Sequence, residues 1–498
     1  MTNTSHVANG IPDIKLFRGC FIALVATSFG FIARVLTANE WSAEFGLTET
    51  QTGEILGAGL WPFAISIILF SLIIDKVGYK VAMYFGLVCH IVSTIVIITA
   101  KDYWGLYIGT FILSLAGGMV EAYINPVVAT MFSKDKTKWL NRLHAGWPGG
   151  LVFGGLLAIA LGGYVGWRIK IGLIFLPTLI YAFILFDKKF PVHERVLAGV
   201  SYKEMLKEVG AVGALIISGM MFMEIGRVFN FSTTLVYSLT ALTTIGFGLY
   251  TRSLGRPLFI FLLIIMMPLA STELGVDSWI TALMEGEMGR IGINAGWVLV
   301  YTSFIMMVLR FYAGSVVHKL SPLGLLAVSA LLAAIGLIFL SKATGMAILL
   351  AATLYGVGKS FFWPTTLGVV AEQFPRGGAL TLNTIAAVGM LAVGIVGAPL
   401  LGNIQDQYIA PKVKMYDPKV FEQVMDTKKG ILGTYQGLNQ GKLEILDEAT
   451  RAKIATIREE AKKEALSTVA YLPLFMFLCY IGLIIYFRAK GGYRPVEI

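Results

Sequence analysis

Residues 71–80 read Ser71-Leu72-Ile73-Ile74-Asp75-Lys76-Val77-Gly78-Tyr79-Lys80, and residues 314–322 read Gly314-Ser315-Val316-Val317-His318-Lys319-Leu320-Ser321-Pro322. Both stretches give a small residue, three more, a polar residue and a base. Both lie between two long apolar runs. Such an echo between distant loops predicts two parallel halves of like topology, as in rocker-type membrane carriers.

Working outward, apolar runs long enough to cross a bilayer recur along the whole chain; about 20 helical residues are needed. They fall near 16–37, 54–74, 79–99, 104–132, 146–166, 168–187, 208–226, 231–250, 257–284, 295–317, 323–341, 345–371, 379–402 and 468–487. These fourteen segments group as six, two and six. The 498 residues are 56% hydrophobic and 14% charged, and mean hydropathy is +0.74. That composition excludes a disordered chain, a coiled coil or a disulfide scaffold and argues against a soluble enzyme. Cys20, Cys89 and Cys479 all lie within apolar stretches, so neither a disulfide nor a metal framework is implied. The expected fold is an all-α membrane protein: two six-helix bundles of pseudo-symmetric plan plus two extra transmembrane helices. Its expected parts are a first bundle at 1–187, a linker and hairpin at 188–256, and a second bundle at 257–498 that includes the external loop 403–466.

The net charge of +10 first suggests a nucleic-acid partner, but the bases sit where they orient the chain. With the N-terminus inside, the internal segments hold twenty Lys and Arg. The short external loops hold Lys101, Arg168, Lys170, Arg227, Arg290 and Lys342. That bias predicts both termini in the cytoplasm, in a bacterial inner membrane. Residues 443–465 of the long external loop read as a thin-striped helix, either a spacer, a cap or an outward extension of the last span.

The six-plus-six plan, the 75–80 loop with its second-half echo, and Glu372-Gln373-Phe374-Pro375-Arg376-Gly377 together resemble the major facilitator superfamily. Within it, Gly117-Gly118-Met119-Val120-Glu121-Ala122-Tyr123-Ile124-Asn125-Pro126 and Leu140-Asn141-Arg142-Leu143-His144 are similar to the fucose/hexose–proton symporter group. The resemblance implies that Glu121 takes part in proton coupling and that Arg310, followed by Phe311, lies in the sugar pathway. It also implies a gating role for Asp75, Lys76 and Gly78 and for their second-half counterparts. Span one carries Arg34 where that group has an acid. The 104–132 span lacks the arginine of the drug-efflux branch.

Ionisable side chains inside spans are costly and are functional candidates by default. Here they are Arg34, Glu121, Glu273, Asp277, Arg310 and Lys359. Glu121 falls near mid-bilayer, with Asn125 one turn on along the same face. It is either a proton carrier or a fixed partner of Arg34. Glu273 and Asp277 share a helical face and repel unless a base or a proton intervenes. Lys359 is a ligand, a countercharge or a strut between helices. Arg310 binds substrate or ties down the loop below it. Trp279 and Trp363 are candidate pathway residues. His144, His318, Glu372 and Arg376 are candidate gate residues. The expected function is proton-coupled uptake of a small polar solute, best read as a sugar. An organic anion or peptide clamped by Arg34 and Arg310 is the alternative, and a non-transporting membrane sensor is a third reading. No nucleophile constellation, Walker motif or metal cluster is present in the sequence. The expected partners are therefore the solute, protons and the lipid bilayer, with no cofactor, no enzymatic activity and a monomeric state.

Overall fold

The structure, a computed structural model, describes residues 12–498 apart from 48, 162–163, 431–432 and 444. The first helix, Ile14–Phe45, begins where the Asp13 carboxylate accepts from the amides of Lys15 and Leu16, at 2.8 and 3.0 Å. It ends at Gly46 in the left-handed region. Among the described residues, 10 helices are long and apolar enough to cross a membrane. One of them, Gly296–Lys342, breaks at Ser321 (φ 63°) just before Pro322, and its two arms are the predicted spans 295–317 and 323–341. Helices Gly146–Leu161 and Thr233–Thr251, and the pair Ala347–Lys359 and Phe362–Gln373, occupy the remaining predicted runs. The all-α membrane architecture is thus as expected.

Two boundaries differ. The run at 379–402 is one helix, Gly378–Ala392, that passes through a π turn, Val393–Gly397, and continues as Ala398–Tyr416. The predicted run thus continues as helix through Tyr416. The run at 257–284 is Pro257–Ala270 and Val276–Arg290 joined by a second π turn, Ser271–Gly275. The segment read as an external loop holds the helix expected near 443–465, here Glu448–Val469. Helix Glu448–Val469 packs on Ala398–Tyr416, and the short hairpin Met425–Gly430 and Gly433–Leu438 pairs antiparallel beside them. Ile409, Val413, Val424, Ile454 and Ile457 give this unit its own small core. Its strands lack an apolar alternation, which is why the sequence did not reveal them. Lys463 reaches Glu287 at 2.6 Å, fixing the unit to helix Val276–Arg290.

The loops 75–80, 133–145, 318–322 and 372–378 share one face, called here the basic-loop face. Both ends of the described residues lie there: Asp13 pairs with Lys188 at 2.9 Å, and the Val496 amide donates to the Glu372 carbonyl at 2.8 Å. Gly78 (φ 86°) makes the tight turn of the opening motif, a conformation that favours glycine. The extra hairpin, Tyr202–Val228 and Thr233–Thr251, is capped by Ser201 and Ser232. Tyr202 donates to the Leu72 carbonyl, and the same helix packs on Gly378–Ala392, so the hairpin touches helices from both ends of the sequence.

In lipid, helices associate through close packing and internal polar bonds rather than through expulsion from water. The seam between Trp61–Val77 and Tyr103–Met131 illustrates this. A Cβ at Gly118 would lie 2.2 Å from the Phe63 carbonyl oxygen, so only glycine permits that approach. Helix Gly378–Ala392 is buried along its whole length and Tyr103–Met131 along most of its own, and they give the central cavity Met390 and Glu121.

Candidate functional site

A small central cavity lies between the first and second sets of helices. Phe63, Glu121, His144 and Trp147 line it from the first set. Glu273, Leu274, Arg310, Trp363 and Met390 line it from the second. The predicted Glu121, His144, Glu273, Arg310 and Trp363 therefore converge on one site.

Proline placement explains much of its geometry. A proline inside a helix leaves the carbonyl four residues earlier without its usual donor. Four such carbonyls are taken up by side chains from elsewhere. Pro148 frees the His144 carbonyl, which accepts from Arg310 Nη1 at 2.8 Å. Pro364 frees that of Ser360, which accepts from Arg310 Nε at 2.6 Å. Pro126 frees that of Ala122, which accepts from Asn383 Nδ2 at 3.0 Å. Pro375, just past a helix end, does the same for Ala371, which accepts from Lys136 Nζ at 3.2 Å. Three of the four bonds join the first set of helices to the second.

Glu121 accepts from Asn125 Nδ2 at 2.6 Å, the expected one-turn pair. Because that amide faces the carboxylate, Asn125 Oδ1 is left to accept from His144 Nε2 at 2.9 Å, which assigns the ring proton to Nε2. His144 Nε2 stands 4.0 Å from Glu121. The expected alternative, a fixed pair of Glu121 with Arg34, is not formed. Arg34 is 4% exposed and donates through Nε to the Gly30 carbonyl at 3.2 Å. Its Nη1 has no partner, and among the described residues it makes no ion pair. The two side chains project from helices whose depth in the membrane the sequence sets, but whose facing it does not.

Glu273 and Asp277 do not share one base. The π turn adds a residue to the helical ladder between them. Glu273 pairs with Arg310 at 2.7 Å and accepts from the Trp363 amide at 3.2 Å. Asp277 pairs with Lys359, which also lies over the Tyr355 ring. Arg310 is thus fully engaged, by Ser360, His144 and Glu273. Lys359 is a countercharge rather than a free ligand. The side chain of Trp279 lies outside those described. Trp297, 40% exposed, stands away from the cavity.

The basic-loop face is closed below the cavity. Thr137 Oγ1 donates to Glu372 at 2.5 Å, and Tyr493 donates to the other oxygen of the same carboxylate at 2.7 Å. Asn141 donates to Thr365 at 3.1 Å. Asp75 does not bond within its own loop. It pairs with Arg195 of the linker at 2.5 Å, and Lys76 lies over the Tyr202 ring. Glu194, next to Arg195, pairs with Lys136. His193 is buried and its Nδ1 accepts from the Arg195 amide at 3.1 Å. Burial, then the charges of Lys136 and Arg195, hold its pKa down to about 3. His318 is exposed, 3.9 Å from Asp135, and Arg376 is exposed. Neither forms part of the buried closure, because both side chains project from the loops into solvent.

The sequence pattern of the Major Facilitator Superfamily matches residues 19–398. The chain belongs to that superfamily. Solved structures of the superfamily share its fold across nearly the whole chain. A proton:xylose symporter, XylE, superposes with a TM-score of 0.60 at 14% identity, covering 93% of this chain and 94% of its own. The human organic anion transporter MFSD10 gives 0.59 at 13%, covering 94% and 98%. The Escherichia coli fucose:proton symporter FucP gives 0.53 at 15%, covering 91% and 98%. Among curated proteins, none matches in sequence. At these identities the likeness is one of fold. Membership of the superfamily makes the chain a multi-pass membrane transporter and not an enzyme.

Phe63, Trp147, Leu274 and Met390 also line the cavity, and nothing in the sequence marks them for it. Lys136, Thr137, Arg195, Asn383 and Tyr493 were not foreseen as closing residues. The signal available for two of the closures is the prolines, which mark the freed acceptors of Lys136 and Asn383 but not those donors.

Proposed function

We propose that this superfamily transporter couples a proton to the uptake of a small polar solute, read best as a sugar, by alternating access. Residues 1–187 and 257–498 act as the two rocking halves and 188–256 as the link between them. The observation that carries the reading is Glu121. It is buried at the cavity wall, and its hydrogen-bonding partner Asn125 is neutral, whereas Glu273 and Asp277 each face a base. A carboxyl without a fixed countercharge in a low-dielectric site is suited to change protonation during a cycle. Aromatic faces at Phe63, Trp147 and Trp363 supply walls for a sugar ring. The proton symport named for XylE and FucP, proteins of the same fold, agrees with this reading. In it the basic-loop face is cytoplasmic, the membrane is a bacterial inner membrane, the protein works as a monomer, and the closure seen here is the inner gate.

The test is uptake into proteoliposomes under an imposed pH gradient, acid outside. Uptake should require the gradient, and Glu121→Gln should abolish concentrative uptake while leaving solute exchange. Equal uptake with the gradient collapsed, or unchanged accumulation by the Gln variant, refutes the coupling.

A further inference from the structure

The buried bases that lie within the helices or close the basic-loop face have their charges answered, with one exception. Arg310 faces Glu273, Lys359 faces Asp277, Lys136 faces Glu194 and Arg195 faces Asp75. Arg34 has no such partner among the described residues, and its Nη1 is buried with no hydrogen bond. An unpaired cation inside a membrane protein is expensive to hold. Its seat is also shaped for it. The guanidinium lies across Gly59, where the chain turns between helices Glu49–Gly57 and Trp61–Val77. A Cβ at Gly59 would stand 1.7 Å from Nη1 and 2.5 Å from both Cζ and Nη2.

Arg34 does not itself line the cavity, but neighbours on two sides link its seat to it. Gly59 lies in the turn that leads into helix Trp61–Val77, four residues before Phe63, which lines the cavity. Arg34 lies over the Phe31 ring, centroid distance 5.8 Å, and Phe31 contacts the ring of Trp147, another lining residue, at 5.9 Å.

We propose that Arg34, seated on Gly59, is the anion subsite of the transport pathway and takes a carboxylate of the solute, so that the sugar of the transport reading is a sugar acid, a hydroxylated carboxylate. The proposal rests on the transport reading above, but not on its proton coupling. Arg310 is the poorer anion site, because Glu273 already answers its charge and each of its three nitrogens already donates once, to Ser360, His144 and Glu273. A planar guanidinium offers paired donors matched to a carboxylate. The aromatic walls then take the carbon skeleton.

The experiment is calorimetric binding to the purified full-length protein in nanodiscs. The probes are D-gluconate and D-glucuronate, with D-glucose and sorbitol as neutral counterparts. The expected result is a preference for the carboxylates in the parent protein. Arg34→Gln should weaken them by about thirtyfold or more and leave the neutral probes unchanged. Gly59→Ala, which keeps the charge but fills its seat, should weaken the carboxylates in the same sense. Thermal unfolding without ligand is the second readout. Arg34→Gln removes an unanswered charge and should melt no lower than the parent. No carboxylate preference in the parent, an unchanged preference in Arg34→Gln, or a lower melting point of that variant with the preference intact each overturns the proposal. Binding needs no gradient, so loss of gradient-driven uptake with carboxylate binding intact would refute the coupling through Glu121 and leave this subsite standing.

Discussion

Asn383 and Pro126 offer a direct test of the idea that prolines create the acceptors that close the protein. The Asn383 side chain donates to the Ala122 carbonyl at 3.0 Å, and that carbonyl is available because residue 126 has no N–H to give it. Replacing Asn383 by Ala in the parent leaves a fully buried carbonyl without a donor, at a cost of about 1–3 kcal/mol. In a Pro126→Ala background, the amide at 126 can bond the same carbonyl within the helix. The Asn383→Ala change then loses only a redundant bond, about 0–1 kcal/mol. Asn383 Oδ1 is itself buried without a partner, and relief of that defect is common to both backgrounds and cancels. A double-mutant cycle should therefore give a coupling of about 1–2 kcal/mol between the two positions. The assay is denaturant unfolding in mixed micelles, followed by tryptophan fluorescence. The same cost for Asn383→Ala in both backgrounds refutes the reasoning, since the carbonyl would then not depend on the proline.

Two further outcomes follow from the linker. Arg195→Ala should free Asp75 and bias the protein toward opening at the basic-loop face, read as faster labelling of a cysteine placed at Thr137 by a thiol reagent supplied from that face. His193 is a base whose pKa falls from 6.5 to about 3 on folding. Its contribution to stability is complete above the unfolded value and is lost as pH falls below it. One proton is worth about 1.4 kcal/mol per pH unit, so about 2 kcal/mol should vanish between roughly pH 6.5 and 5. His193→Asn, which keeps an acceptor for the Arg195 amide, should flatten that slope in pH-dependent melting curves.

The architecture was legible because its signal is repeated and local. Each apolar run is its own evidence of a span, and the bases between runs orient all of them together. What failed were boundaries at which a helix persists without being apolar. Ala398–Tyr416 runs on past its apolar stretch on its contacts with Glu448–Val469, which no window of sequence contains. The π turn at Ser271–Gly275 was equally silent, yet it sends Glu273 and Asp277 to different bases. At the site, the pair legible in advance was Glu121 with Asn125, four residues apart on one helix. Pairs formed across the chain, such as Arg310 with Glu273, were visible only as a balance of three acids and three bases.

That balance carries a physical consequence that geometry makes specific. Two acids and two bases neutralise one another, which leaves Glu121 and Arg34 each without an ionic partner among the described residues. With the site empty, an ionised Glu121 and Arg34 sum to zero. With a proton on Glu121 and a carboxylate on Arg34, they again sum to zero. A site holding the proton alone carries +1, and one holding the anion alone carries −1. A net charge in the low-dielectric interior costs several kcal/mol. The half-loaded forms are therefore the ones that should fail to rock, and coupling needs no further device. One proton per monocarboxylate should move with no net charge. Proteoliposome uptake of labelled gluconate should then follow the pH gradient and ignore a potassium–valinomycin potential. Uptake that rises with a negative internal potential would show an extra positive charge crossing, and would refute the pairing of these two residues as the coupling unit.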